Sequence, residues 1–155
     1  EWLLASKLIY KCCKLNSINI PPEAYKDNEF FKIYLGDVGI LNTMLKINVN
    51  DIYLNKPFLY KGEITENYVA NQLMFNNIDL YYWATASSSE IDFIIYNEDG
   101  IIPIEVKASD NTKSKSLNEY IKRFKPKYAI RISSKNFGFE NGIKSVPLYA
   151  TFLVK

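Results

Sequence analysis

Two apolar segments, Ile91–Tyr96 and Ile101–Lys107, flank Asn97-Glu98-Asp99-Gly100, and this arrangement constrains the chain more than any other. Asp-Gly supplies what a tight hairpin turn needs, because glycine reaches positive φ without steric cost. Both segments alternate with period two, so they read as paired antiparallel strands. On the second, Ile102, Ile104 and Val106 share one face, and Glu105 and Lys107 share the other. On the first, Asp92 interrupts Ile91, Phe93 and Ile95. The hairpin brings Asp92 beside Glu105, with Lys107 two residues further on. An acid and a lysine on a strand are common at surfaces. Here they lie in Ile-Ile-Pro-Ile-Glu-Val-Lys, a segment that reads as buried, where ionised groups are costly without partners.

Around the hairpin the chain reads as α/β. Ile64, Tyr68, Val69 and Leu73 recur at helical spacing over Gly62–Asn76, with Glu66 at the edge of the stripe. Leu80–Thr85 reads as a strand, Ser87–Ser89 as a turn, residues 114–124 as a helix and Lys127–Ile132 as a strand. The order from residue 62 to 132 is therefore αβββαβ, a mixed sheet with helices against it. Upstream, residues 2–15 read as an amphipathic helix, and Pro21-Pro22 marks a connector. Phe31–Leu35 reads as a short strand, Asp37–Leu45 as a short helix and residues 46–61 as mostly loop. Gly138–Gly142 reads as a loop, and Leu148–Val154 as a final apolar element of open type. These readings divide the chain into an N-terminal helical or linker segment, 1–60, packing on an α/β domain, 61–155. The opening Glu1-Trp2-Leu3-Leu4 resembles entry partway through a helix, as expected of a fragment of a longer protein.

Composition narrows the chemistry. Apolar residues form 48% of the chain, which excludes general disorder. No apolar run approaches the roughly 20 residues needed to cross a bilayer, and no signal-peptide pattern is present, so a cytoplasmic location is expected. Cys12 and Cys13 are adjacent and read as packed, reduced thiols. The chain has no histidine, which removes Ser-His-Asp and Cys-His catalysis and histidine-bound zinc. The net charge is +2, but residues 61–106 carry −7 and residues 107–155 carry +8. That split suits a cation site beside a polyanion-binding surface, or equally two complementary surfaces within one fold.

Carboxylates without histidine point to a hard divalent ion. Mg²⁺ typically takes one or two carboxylates together with waters and substrate phosphate oxygens. Asp92 and Glu105 are the expected ligands, Glu66 completes the acidic cluster, and Lys107 is placed to orient a water or to neutralise developing charge. Glu90 is a further acid near the site. Lys113, Lys115, Lys122 and Arg123 are expected nucleic-acid contacts, or else the solvated face of the 114–124 helix. Most of Tyr81, Tyr82 and Trp83 is expected in the sheet core.

Several motifs carry a resemblance: Phe31–Ile40, Lys61–Leu73, Tyr81–Thr85, Glu90–Ile95, Ile102–Ser109 and the closing Pro-Leu-Tyr-Ala-Thr-Phe-Leu. Together they resemble DUF4143, a domain found after the ATPase module of bacterial and archaeal AAA+ proteins. That family is similar to PD-(D/E)xK nucleases, which implies a restriction-endonuclease-like fold and Mg²⁺- or Mn²⁺-dependent phosphodiester hydrolysis. The nuclease pattern falls on Glu66, Asp92, Glu105 and Lys107, although Asp92 lacks the preceding proline. The resemblance also implies an ATPase module as partner, while this sequence has no phosphate-binding G-x-x-x-x-G-K-[ST] loop of its own. The other expectation is a non-catalytic module that binds nucleic acid or protein.

Overall fold

The computed structural model describes residues 1–54, 56–86, 89–109 and 114–155. One mixed sheet of eight strands organises them. Its strands are β1 (Ile9–Leu15), β2 (Lys26–Leu35), β3 (Tyr81–Ala84), β4 (Glu90–Asn97), β5 (Gly100–Val106), β6 (Ala129–Ser133), β7 (Gly138–Glu140) and β8 (Ile143–Pro147). Their spatial order is β2-β1-β3-β4-β5-β6-β8-β7. The β4–β5 hairpin pairs antiparallel from Asn97↔Gly100 to Phe93↔Ile104, whereas β5–β6 and β6–β8 are parallel.

The helices are α1 (Trp2–Ala5), α2 (Val38–Met44), α3 (Val49–Tyr53), α4 (Lys61–Phe75) and α5 (Lys115–Phe124), with 3₁₀ segments at Pro22–Tyr25 and Leu148–Leu153. From α4 to β6 the expected helix, three strands, helix and strand recur in order. Helix α4 buries Val69, Ala70 and Leu73 in a core with Phe93, Ile95, Ile102 and Ile104. Helix α5 buries Leu117 and Tyr120 in a second core with Tyr81, Trp83, Ile91 and Ile94. Alternating side chains along the strands feed these two cores, so the sheet is covered on both faces. Tyr81, Tyr82 and Trp83 are all buried, as expected of sheet core.

The helix expected over residues 2–15 is corrected. Only Trp2–Ala5 is helical; Lys7 then adopts φ 57°, and Ile9–Leu15 is a strand between β2 and β3. Lysines at 7, 11 and 14 mimic a helical polar face, but two of them cover aromatics of the neighbouring strand. Lys11 Nζ lies 4.1 Å from the Phe31 ring centroid, and Lys14 Nζ lies 5.4 Å from that of Phe30. Sheet pairing thus overrides the helical pattern. Cys12 and Cys13 are free and buried in different cores, on a strand and not on a helix. The sheet consequently runs across residue 61, and the segment 1–60 contributes two of its strands.

Two smaller corrections follow the same logic. Residues 46–61, read as mostly loop, also contain the five-residue α3, whose first turn is capped by the Asn48 side chain accepting from Asn50 N–H at 3.0 Å. The Gly138–Gly142 loop is a β7–β8 hairpin turning at Asn141 and Gly142, which have φ of 51° and 74°. Asn-Gly is a strong signal for such a turn. Asp37 caps α2 through Gly39 and Ile40 N–H, as the sequence suggested.

Candidate metal centre

The site begins where the β4–β5 ladder ends. Beyond Phe93↔Ile104 the backbone pairing stops, and Asp92 Oδ2 accepts a hydrogen bond from Val106 N–H at 2.7 Å. A side chain thereby satisfies a donor that the next rung would have used. On the other edge of β5, Lys107 N–H donates to the Ile132 carbonyl at 2.8 Å. The strand carrying Glu105 and Lys107 is therefore anchored on both sides.

Glu105 is only 4% exposed. Its Oε1 lies 2.5 Å from Lys107 Nζ, while its Oε2 is buried with no hydrogen-bond partner. Burial raises the Asp92 carboxyl to about 7, with further upward pressure from the charges of Glu66 and Glu105. The Val106 hydrogen bond and Lys32 oppose that rise but do not cancel it. Carboxylates crowded in a poorly solvated space favour either a proton or a cation.

Glu66 projects from α4 toward β2. Its Oε1 accepts from Lys32 Nζ at 2.9 Å and from the Tyr34 hydroxyl. Lys32 also pairs with Glu90, so one ammonium joins two of the acids expected at the site. Burial depresses the Lys32 pKa, yet Glu66 and Glu90 outweigh it and hold the ammonium above its ordinary value. Tyr34 is pushed up by burial first and by the Glu66 charge second. The structure thus brings Asp92, Glu105 and Lys107 together at the end of the hairpin, with Glu66 engaged by β2. Among the described residues, no three Cys, Asp or Glu side chains group closely enough to hold a metal ion together. What the hairpin does offer is one unpartnered buried acceptor, Glu105 Oε2, on an acid whose charge is felt by Asp92; one or two carboxylates are the number Mg²⁺ typically takes.

Lys32, Tyr34 and Asn67 were not singled out in the sequence. The period-two pattern Phe31-Lys32-Ile33-Tyr34-Leu35 carried a signal, since a lysine embedded in an apolar strand needs a partner just as Glu105 does. Asn67, 3% exposed, clasps the Leu35 backbone. Its Oδ1 accepts from Leu35 N–H at 2.8 Å, and its Nδ2 donates to the Leu35 carbonyl at 2.9 Å. Asn67→Ala is expected to cost about 2 kcal/mol in urea unfolding, because both Leu35 groups lose their partner. A cost below a few tenths would show that the clasp contributes nothing.

Of the expected nucleic-acid contacts, Lys115 and Lys122 are exposed on α5. Arg123 is also on α5, with its guanidinium 5.9 Å from the Trp83 ring and 5.1 Å from that of Phe124. Lys113 lies outside the described residues. No helix is long and apolar enough to cross a membrane among the described residues.

Comparison with known proteins adds one match. The family model for a domain of unknown function, DUF4143, matches residues 61–151, more than half of the chain. No curated protein and no solved structure gives a significant match. The matched span holds α4, the β4–β5 hairpin, α5 and all four residues Glu66, Asp92, Glu105 and Lys107. The chain belongs to the DUF4143 family.

Proposed function

We propose that this domain is a restriction-endonuclease-like (PD-(D/E)xK) nuclease that hydrolyses nucleic-acid phosphodiesters with Mg²⁺ or Mn²⁺. The observation that carries the reading is the Glu105 carboxylate: buried, with one oxygen unpartnered, beside an Asp92 that resists ionisation. A buried acceptor left unpaired is costly to a fold, and such costs concentrate where a ligand is expected. Asp92 and Glu105 would hold the ion. When bound, the ion supplies an acidified water and charge stabilisation at the phosphate oxygens. Lys107 supplies the positive charge facing the phosphoryl group, and its pairing with Glu105 aims its ammonium into the site. Glu66 orients Lys32 and Tyr34 at the border of the site. The ATPase module implied by the sequence resemblance is the proposed partner, and exposed Trp2, Met44, Tyr53 and Leu59 offer apolar contact surface for it.

A second reading is favoured by one observation. Lys32 already bridges Glu66 and Glu90, an internal cation that neutralises part of the acidic cluster. On that reading the domain binds nucleic acid or a protein without cleaving. Isothermal titration with Mg²⁺ and Mn²⁺ separates the two. The wild type is expected to bind one class of divalent ion, with the heat lost in Asp92→Asn and Glu105→Gln. Absence of binding by the wild type at millimolar metal would leave only the non-catalytic reading.

A further inference from the structure

Glu105 stands in register with Arg131 on β6, and Arg131 with Ser145 on β8. Residues paired in a parallel ladder project to the same face, so this row crosses three strands on one side of the sheet. Adjacent strands lie about 4.8 Å apart. Arg131 therefore begins a second feature one strand away from the carboxylate site. That feature is a cavity of about 660 Å³, floored by Arg131 and Ser145 and walled by α5 through Lys115 and Lys122.

Its electrostatics are one-sided. Three cations line it against one acid, Glu140. Among the described residues none of Lys115, Lys122 and Arg131 has an ion-pair partner. Arg131 Nε is moreover buried with no hydrogen-bond partner. A guanidinium is forked, permanently charged and suited to bidentate contact with phosphate, so leaving its buried nitrogen unpaired is costly unless an anion completes it. Lys115 and Lys122 are seven residues apart on one helix, about two turns, so they extend the positive charge along the cavity wall and do not converge on a single point. A row of separated charges leading from a fixed arginine fits a chain of phosphates better than a single small anion.

We infer that the α5–β6–β8 cavity binds the phosphate backbone of a polynucleotide, with Arg131 as its anchor and Lys115 and Lys122 as flanking contacts. This rests on the nucleic-acid reading of the carboxylate site and deepens it, because the row Glu105–Arg131–Ser145 leads the backbone away from that site along one sheet face. The contacts are to phosphate, so the binding is independent of base sequence.

The test is fluorescence anisotropy of a labelled mixed-sequence oligonucleotide in EDTA, over a range of salt concentrations. Relative to wild type, Arg131→Met is expected to weaken binding and to lower the slope of log affinity against log salt by about one. The Lys115→Ala/Lys122→Ala pair is expected to lower it by about two. The lysines are exposed, so this pair remains informative if the arginine variant folds poorly. Unchanged affinity and slope in the lysine pair would overturn the inference. So would a wild type that shows shifts at Arg131 Nε with inorganic phosphate by nuclear magnetic resonance but no oligonucleotide binding, since that marks a small-anion site. EDTA removes metal from the measurement. Oligonucleotide binding without metal binding therefore marks a failure of the nuclease reading alone, and loss of oligonucleotide binding with metal binding intact marks a failure of this inference alone.

Discussion

Lys107→Met is expected to destabilise the metal-free protein by about 3–5 kcal/mol and, in Mg²⁺, to slow nucleic-acid cleavage by about 10²–10³-fold. The stability effect comes from what is left behind. Glu105 is 4% exposed and Lys107 is its ion-pair partner, while the other carboxylate oxygen already has no hydrogen bond. Removing the ammonium strands a buried carboxylate, which is far more damaging than losing an exposed pair. A divalent ion at Asp92 and Glu105 would restore a counter-charge, so the deficit should shrink when Mg²⁺ is added. The activity effect has a different origin, since the lysine charge is needed when negative charge develops on the phosphoryl oxygens. Urea unfolding with chelator and with Mg²⁺, together with nicking of plasmid DNA and cleavage of RNA, reads both. A deficit that Mg²⁺ leaves untouched would count against a cation at Glu105. Wild-type-like cleavage by the variant would remove Lys107 from the chemistry.

Legibility in the sequence followed the range of the interactions involved. The β4–β5 hairpin was readable because its turn chemistry and its alternation agree, and both are local. Helix α4 was readable because Val69 and Leu73 face the core at helical spacing. Strand β1 was not, because its conformation is decided by partners 11–26 residues away on β2 and 68 residues away on β3. A short segment with lysines at helical intervals reads as a helix until those partners are known. The β7–β8 hairpin had a legible turn at Asn141-Gly142, but its flanking segments are short and β7 is wholly exposed, so the alternation signal was weak. At the site, Asp92, Glu105 and Lys107 were legible as charges in apolar strands. The capture of Glu66 by Lys32 and Tyr34 was not, since it depends on β2 reaching α4 across 32 and 34 residues of sequence.

The pH dependence of stability should carry the signature of Asp92. Its carboxyl is raised from an ordinary value of 3.8 to about 7, by burial first and by Glu66 and Glu105 next. Between about pH 4 and pH 7 the native state therefore keeps a proton that the unfolded chain has lost. Stability falls with rising pH wherever the native state binds more protons, so this contribution is fully present below about pH 4 and lost by about pH 7. Its size is on the order of 4 kcal/mol across the window, an upper figure because the unfolded chain retains some structure. Asp92→Asn removes the titration while keeping a neutral side chain of similar shape. The stability difference between wild type and Asp92→Asn, from urea unfolding in chelator, should therefore decline steadily over that range. A difference that stays flat from pH 4.5 to pH 7.5 would show that Asp92 ionises freely in the fold. Mg²⁺ should flatten the decline, because a bound cation favours the ionised carboxylate and shifts its titration to lower pH. A decline that persists unchanged in Mg²⁺ would mean that the proton, and not a metal ion, is the partner this buried acid was built to take.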